Sequence, residues 1–586
     1  MTDPHFNVRD IPFSYHESWF GISPVTGLGR TEEDLHLVSH QTGMHAVLAL
    51  RPLTRNGGRA DARVDACPSM LSWIDGPARI DLVYAAEDTI RLRGDGLGLR
   101  IAAAAPVLSP FSGTYLYRDP VDGAHVFTSY ETGRRYRVTV LSGSIAEATG
   151  TQALGSASRS VAIMPDTRPW ELVLEEYETG RRPYVANKTF EQTADAASAS
   201  FVDFLDAVAP WRGARTPAAG LAAYVLWSAT VRPAGLLARP AILMSKHWMD
   251  KVWSWDHCFN ALAVATGRPR LAWDQYQLVF DHQDGAGALP DSVTHSEVLY
   301  NFVKPPIHGW TSNALRHTLP ELSKAEVTET YRGLERWTRY WLECRRAPGS
   351  ELAHYHHGND SGWDNASTFD EGCVVESADL AAFLVLQMRE LGALAPFADA
   401  PNAARHWLDR ADRMLNAMIE RLWTGKRFAA HVLESGHTRT SDSLLELMPI
   451  VLGELLPRHI HTALAGQIRE HLTPHGLATE LPGSPHYEPD GYWRGPIWAP
   501  STVLIEDGLR RAGHTRMADE ISDRFRALCE TSGFAENFDA LTGAGQRDRA
   551  YTWTASGYLI LAAAAERRHA TTEGAETIRS LDQSST

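Results

Sequence analysis

Ala403-Ala-Arg-His-Trp-Leu-Asp-Arg-Ala-Asp-Arg-Met-Leu-Asn-Ala-Met-Ile-Glu-Arg-Leu422 decides the fold class. Trp407, Leu408, Ala411, Met414, Leu415, Met418, Ile419 and Leu422 recur at i, i+3, i+4 spacing with charged residues between them. That spacing puts an apolar stripe on one face of an α-helix. Ala325–Arg345, Ala378–Leu391, Asp442–Leu452, Ser501–Ala512 and Tyr551–Ala564 repeat the pattern. Glu191–Val208 is Ala-rich and helix-periodic as well. About a dozen such segments follow one another in hairpins, with no short TPR- or HEAT-like repeat. The expected catalytic architecture is an (α/α)6 toroid over residues 186–567, whose loops at one end form a funnel. Residues 1–185 read differently. Stretches such as Ala78-Arg-Ile-Asp-Leu-Val-Tyr84 and Tyr136-Arg-Val-Thr-Val-Leu141 alternate apolar and polar residues between Gly, Pro, Asp and Asn punctuation. This is the pattern of an antiparallel β-sandwich. Residues 568–586 are polar and expected to be a flexible tail.

Composition narrows the function. The chain has 586 residues, 44% hydrophobic and 22% charged, which is globular composition, and a net charge of −15. An acidic chain is poorly suited to nucleic acid or anionic membrane. No run approaches the roughly 18 apolar residues of a membrane span. The start, MTDPHFNVRDIPFSYHESWFG, lacks the basic and apolar regions of a secretion signal. Five scattered cysteines without CxxC spacing suit a reducing cytoplasm, with the thiols as small buried hydrophobes. No metal-ligand spacing occurs among the 25 histidines, so neither a metal nor another cofactor is expected. A homo-oligomer is compatible with the composition.

The loops between helices carry the chemistry. His357-Gly-Asn-Asp-Ser-Gly-Trp-Asp-Asn365 sets Asp360 and Asp364 around Gly362, beside Trp363. An indole offers a plate for a sugar ring, and a carboxyl can protonate an ether oxygen. The same residues would also make a helix-capping turn. Trp253-Ser-Trp-Asp-His-Cys-Phe259 brings Trp255 and Asp256, although Asp256 also suits a helix cap. Leu289-Pro-Asp-Ser292 and Tyr300-Asn-Phe-Val-Lys-Pro-Pro306 form a long Pro-containing loop, a common place for function. Gly491-Tyr-Trp-Arg-Gly-Pro-Ile-Trp498 and Gly533-Phe-Ala-Glu-Asn-Phe-Asp-Ala-Leu-Thr-Gly543 complete the set. The 18 tryptophans, eight of them within 248–363, suit a carbohydrate cleft, and they equally suit plain core packing. Glycoside hydrolysis needs two carboxyl groups, and Asp364 and Glu536 lie in loops of the same character.

Trp255-Asp256, Ser361-Gly-Trp-Asp-Asn365, Tyr492-Trp-Arg-Gly-Pro-Ile-Trp498 and Glu536-Asn-Phe-Asp539 with Thr542-Gly543 resemble the motifs of glycoside hydrolase family 63. That family holds processing α-glucosidases and bacterial glucosylglycerate and mannosylglycerate hydrolases, and it is similar at these loops to family 37 trehalases. The resemblance spans roughly residues 220–565, with the motifs in order. It implies an (α/α)6 barrel and an inverting mechanism, with Asp364 as general acid and Glu536 as general base. Two positions depart from the family pattern: Asp360 stands where it has Glu, and Phe538 where it has Tyr. On this footing Asp364 is expected to be protonated, through desolvation by Trp363 and the like charge of Asp360, and Glu536 ionised. Trp255, Trp363, Trp493 and Trp498 would wall the sugar pocket, each weighed against a core role. Asp256, Asp360, Gly362, Asn365, Tyr492 and Arg494 join the substrate-binding candidates, with a structural salt bridge as the alternative for Arg494. The resulting expectation is a cytoplasmic, inverting exo-α-glycosidase, an α-glucosidase acting on a small glucoside or oligosaccharide. A disaccharide phosphorylase, a non-catalytic sugar-binding protein and an epimerase using His356 and His357 are the alternatives.

Overall fold

The computed structural model describes residues 4–151, 158–319 and 322–584, with side chains of the last helix described as far as Thr571. The chain forms two compact units that interleave along the sequence. One comprises Met1–Asp206, Ala223–Lys251 and Thr294–Glu297, and the other Ala207–Ala222, Val252–Val293 and Val298–Thr586.

The first unit is built on two antiparallel sheets of seven and eight strands between Phe13 and Tyr177. Alternation sets the register. Leu82 sits opposite Leu71 on one side and Leu92 on the other, and all three are buried. A slip of one residue would turn this row to the other face. Helix α1 (Phe190–Val208) follows the sheets, and helix α2 (Ala219–Ala229) spans a division between the units. The first unit takes the end of α2 for a reason visible at Tyr224. Its hydroxyl accepts from the Ser14 N–H at 3.1 Å, and its ring stacks 4.5 Å from Phe6.

The second unit is the toroid. Helices α3 (Asp256–Val264), α4 (Pro269–Gln277), α5 (His308–Thr318), α6 (Lys324–Cys344), α7 (Ala378–Leu394), α8 (Ala403–Leu422), α9 (Arg458–His471), α10 (Ala499–Arg511), α11 (Thr515–Ser532) and α12 (Thr552–Ser584) supply it. A 3-10 segment, Leu444–Leu455, takes the place of the α-helix expected over Asp442–Leu452. Pro449 inside it lacks an N–H, and Gly453 turns to φ +58°, so regular α-helical bonding cannot run through. Six members close a ring: α3 packs on α5, α5 on α7, α7 on the 3-10 segment, that on α10, α10 on α12, and α12 back on α3. Within this ring, the 3-10 segment and α7 are the most buried, α7 along nearly its whole length. Outer helices such as α8 and α11 are amphipathic, burying only one stripe. In α8 that stripe is Trp407, Ala411, Met414, Leu415, Met418 and Leu422. The backbone of α12 stays helical to Ser584, through much of the stretch expected as a polar tail, and residues 585 and 586 lie outside the described residues.

No helix among the described residues is long and apolar enough to cross a membrane. The five cysteines are free; Cys258 and Cys529 are buried, but Cys344 and Cys373 are exposed, against the expectation of uniformly buried thiols.

Candidate active site

The site begins with loops that run into the N-termini of ring members. Trp255 precedes α3, residues 357–365 precede α7, 491–498 precede α10, and Glu536 lies in the loop before α12. Hydrogen bonds knit these loops together. Asn365 donates from Nδ2 to the Gly491 carbonyl (2.9 Å), and its Oδ1 accepts from the Trp493 N–H (3.0 Å). Ile497 and Phe538 exchange both backbone bonds, at 2.7 and 3.0 Å. The loop of Asp364 is thereby fastened to 491–498, and 491–498 to the loop of Glu536.

Glu536 is placed by its own backbone. Its N–H donates to the Asp548 carbonyl at 2.7 Å, and its carbonyl accepts from Trp553 Nε1 at 3.3 Å. Its side chain is buried, and burial foremost pushes the carboxyl up to about 8. Asp548 and Asp364 add to the rise while Arg547 opposes it. An ionised Glu536 at neutral pH is therefore corrected: desolvation outweighs the nearby guanidinium. Asp364 is also raised, by burial first, with Lys304 pulling down and Asp291 pushing up. The Lys304 ammonium lies 3.2 Å from Asp291 Oδ1 and 3.8 Å from Asp364 Oδ1, and it donates to the Asn359 carbonyl at 2.9 Å.

Tyr492 ties the carboxyls to one place. Its phenol is held far above its ordinary range by burial, then by the negative charges of Asp364, Glu536 and Asp256, with Arg547 opposing. Arg547 lies over the Tyr492 ring, 4.9 Å from its centroid, and pairs with Asp490 at 2.8 Å and Asn537 Oδ1 at 3.0 Å. Both Tyr492 (φ +63°) and Arg547 (φ +58°) sit in the left-handed region. Such strain costs of order 1–3 kcal/mol per residue and gathers at functional sites. Asp256, the first residue of α3, is buried with Oδ2 lacking a hydrogen-bond partner among the described residues, and burial raises its carboxyl well above the usual range. A buried acceptor without a donor is an unusual cost for a fold and marks a place for a ligand hydroxyl.

The expected indoles do come together. Trp363 lies 4.6 Å from Trp493, and Trp493 stacks parallel on Trp498 at 4.1 Å. Trp553 sets its edge on Trp255 at 5.8 Å and on Trp498 at 5.3 Å. All five rings are buried, Trp498 completely, so the cluster is a foundation beneath the site before it is a wall. Aromatic pairs of this kind add about 0.5–1.5 kcal/mol each beyond their buried area. Gly362, at φ +74°, runs under Trp255, and a Cβ there would come within 2.7 Å of the indole. Only glycine serves at that position.

Three candidates fall to structural roles. Asp360 Oδ1 accepts from the Val303 N–H (3.1 Å), and Oδ2 accepts from Arg345 and the His356 N–H at 2.7 and 2.8 Å. A carboxylate so satisfied has no need of substrate, and Asp291, not Asp360, is the carboxylate raising Asp364. Arg494 is spent on the Asn365 carbonyl (2.7 Å) and on Asp370. Asn365 uses both ends of its amide on the 491–493 loop. Phe538 is buried edge-on to Phe525, where a tyrosine hydroxyl would have to find a partner. His356 and His357 part company: His356 Nε2 faces His354 Nε2 at 3.2 Å, and the His357 ring lies tilted beside that of Phe302. Among the described residues no cluster of three or more His, Cys, Asp or Glu side chains could hold a metal.

Sequence reasoning passed over Lys304 and Asp291 as site residues, although it singled out the Pro-containing loop that carries them. Arg547, Asp548 and Trp553 offered less. Arg547 and Asp548 lie in an unremarkable turn and Trp553 in the first turn of an apolar helix, where nothing in the linear pattern singles them out.

Residues 249–554, more than half of the chain, match the mannosylglycerate hydrolase MGH1-like glycoside hydrolase domain. The chain belongs to this family. It is a glycoside hydrolase. Its relatives include a mannosylglycerate hydrolase from Rubrobacter radiotolerans, 24% identical over 400 residues that cover 52% of this chain and 89% of the relative. The crystal structure of the GH63 mannosylglycerate hydrolase from Thermus thermophilus in complex with glucose superposes with a TM-score of 0.51 at 20% identity, over 58% of this chain and 98% of that one. A bacterial glucoamylase complexed with acarbose gives a TM-score of 0.58 at 11% identity, over 97% of this chain and 96% of that one. At such identities the structures speak for the fold alone, a β-sheet region and an (α/α)6 toroid.

Proposed function

We propose that this glycoside hydrolase is an inverting, exo-acting α-glycosidase, an α-glucosidase on a small α-linked glucoside, with Asp364 as general acid and Glu536 as general base. The observation that carries the reading is the hydrogen bonding that fastens the loop of Asp364 to residues 491–498 and these to the loop of Glu536. Asp364 gives its proton to the glycosidic oxygen as the bond to the anomeric carbon breaks. Glu536 takes a proton from the water whose oxygen bonds to that carbon from the opposite face. The products are the free alcohol and a hexose of inverted configuration. Asp256, Trp255, Trp363 and Tyr492 hold the sugar, with the unpartnered Asp256 oxygen accepting from a hydroxyl. The Thermus relative's complex with glucose favours a hexose of this size. A cytoplasmic address, where exposed Cys344 and Cys373 stay reduced, accords with a small imported or stored solute.

Proton NMR of the first-formed sugar tests the stereochemistry. The β-anomer is expected first from an α-linked substrate, without any requirement for phosphate. An α-anomer appearing first would sink the inverting assignment.

Lys304 gives a second test. Its ammonium favours the ionised form of Asp364, so Lys304→Met should raise the Asp364 carboxyl further. Asp364 must be protonated to act, so the limb of kcat/KM that reports its ionisation should move to higher pH. A limb that stays in place would show that Lys304 does not act on the acid.

A further inference from the structure

We propose that the leaving-group side of this site takes a neutral, ring-bearing aglycone, such as a second pyranose, in preference to the acidic glycerate named in the relatives' activity. The inference rests on the assignment of Asp364 as the acid and deepens it. In an inverting site the base lies across the sugar from the departing oxygen, so groups near the acid and away from the base line the leaving-group side. His357 is such a group. Its neighbour Gly358 lies against the acid's backbone, where a Cβ would come within 2.4 Å of the Asp364 carbonyl.

His357 is exposed, and its ring lies 5.2 Å from that of half-buried Phe302, tilted by 30°. Phe302 stands two residues before Lys304, the cation that touches Asp364. The pair therefore makes an aromatic shelf beside the acid. His357 Nδ1 accepts from the Asn359 N–H at 3.1 Å, so Nε2 carries the ring proton and can donate to a hydroxyl. An apolar face with one well-placed donor suits the C–H face and hydroxyl rim of a sugar ring.

Charge points the same way. A cation would favour a glycerate carboxylate, and each of the four cations named at the site among the described residues faces a carboxylate. Lys304 faces Asp291 and Asp364, Arg547 faces Asp490, Arg345 faces Asp360, and Arg494 faces Asp370. A further carboxylate would join Asp256, Asp291, Asp364 and Glu536, and would be repelled by those that are ionised.

The test compares kcat/KM of the full chain on three kinds of substrate, each in the gluco and manno series. They are the α-glycosyl fluorides, a set of α-linked disaccharides, and the α-glycosylglycerates. At least one disaccharide is expected to exceed both glycerates by about tenfold or more. Phe302→Ala and, separately, His357→Ala should lower the ratio of disaccharide to fluoride kcat/KM by about tenfold. A glycerate as the best substrate overturns the proposal, as does an equal loss on disaccharide and fluoride in both variants. If the wild type leaves every fluoride intact, the α-glycosidase reading itself fails, which a preference for glycerate would not imply.

Discussion

Asp364→Asn is expected to lower kcat/KM on unactivated α-glucosides by about 10²–10⁴-fold, the usual range for a lost general acid. The amide keeps the size of the side chain but has no acidic proton to give. An α-glycosyl fluoride, whose leaving group needs far less protonation, should lose much less. That contrast separates a missing proton from a damaged fold. Equal losses on both substrates would remove Asp364 from the acid's role.

Glu536→Gln should cost about as much, again about 10²–10⁴-fold, but on activated and unactivated substrates alike. The base prepares water for attack whatever the leaving group. In the wild type burial pushes the Glu536 carboxyl up to about 8, so activity should climb as pH rises through that region. The two carboxyls sense one another, and the limbs of the pH profile belong to the pair. Glu536→Ala adds a positive control. The shortened side chain leaves room for azide, which should attack from the base's face and give the inverted glycosyl azide. Survival of wild-type hydrolysis in either variant would place the base elsewhere.

Much of the fold was legible because it is written locally. The periodicity of α8 matches its observed span, and that of α7 and α10 agrees within a few residues. Alternation in residues such as 78–84 likewise marked the strands. Leu444–Leu455 was misread as an α-helix because apolar spacing survives in a 3-10 segment, whereas the effect of Pro449 and Gly453 on bonding is not a matter of spacing. At the site, the quoted loops were legible as candidates because Trp, Gly and Asp crowded into helix connections are unusual in themselves. The roles within a loop were harder. Asp360 and Asp364 are four residues apart and chemically alike, yet Arg345, Val303 and His356 satisfy one and leave the other to Lys304.

By itself the sequence determined that a β-sheet region accompanies a ring of helices whose connecting loops bear paired carboxyls and indoles. Those features depend on the side-chain period and on residue type, which the linear chain displays. Only the tertiary structure decided which carboxyls stay free, which indoles become foundation, and which charges tune the pair. Proton affinity depends on burial and on distance through space. Asn365 with Gly491, Ile497 with Phe538, and Arg547 with Tyr492 set those distances across segments that the sequence keeps far apart.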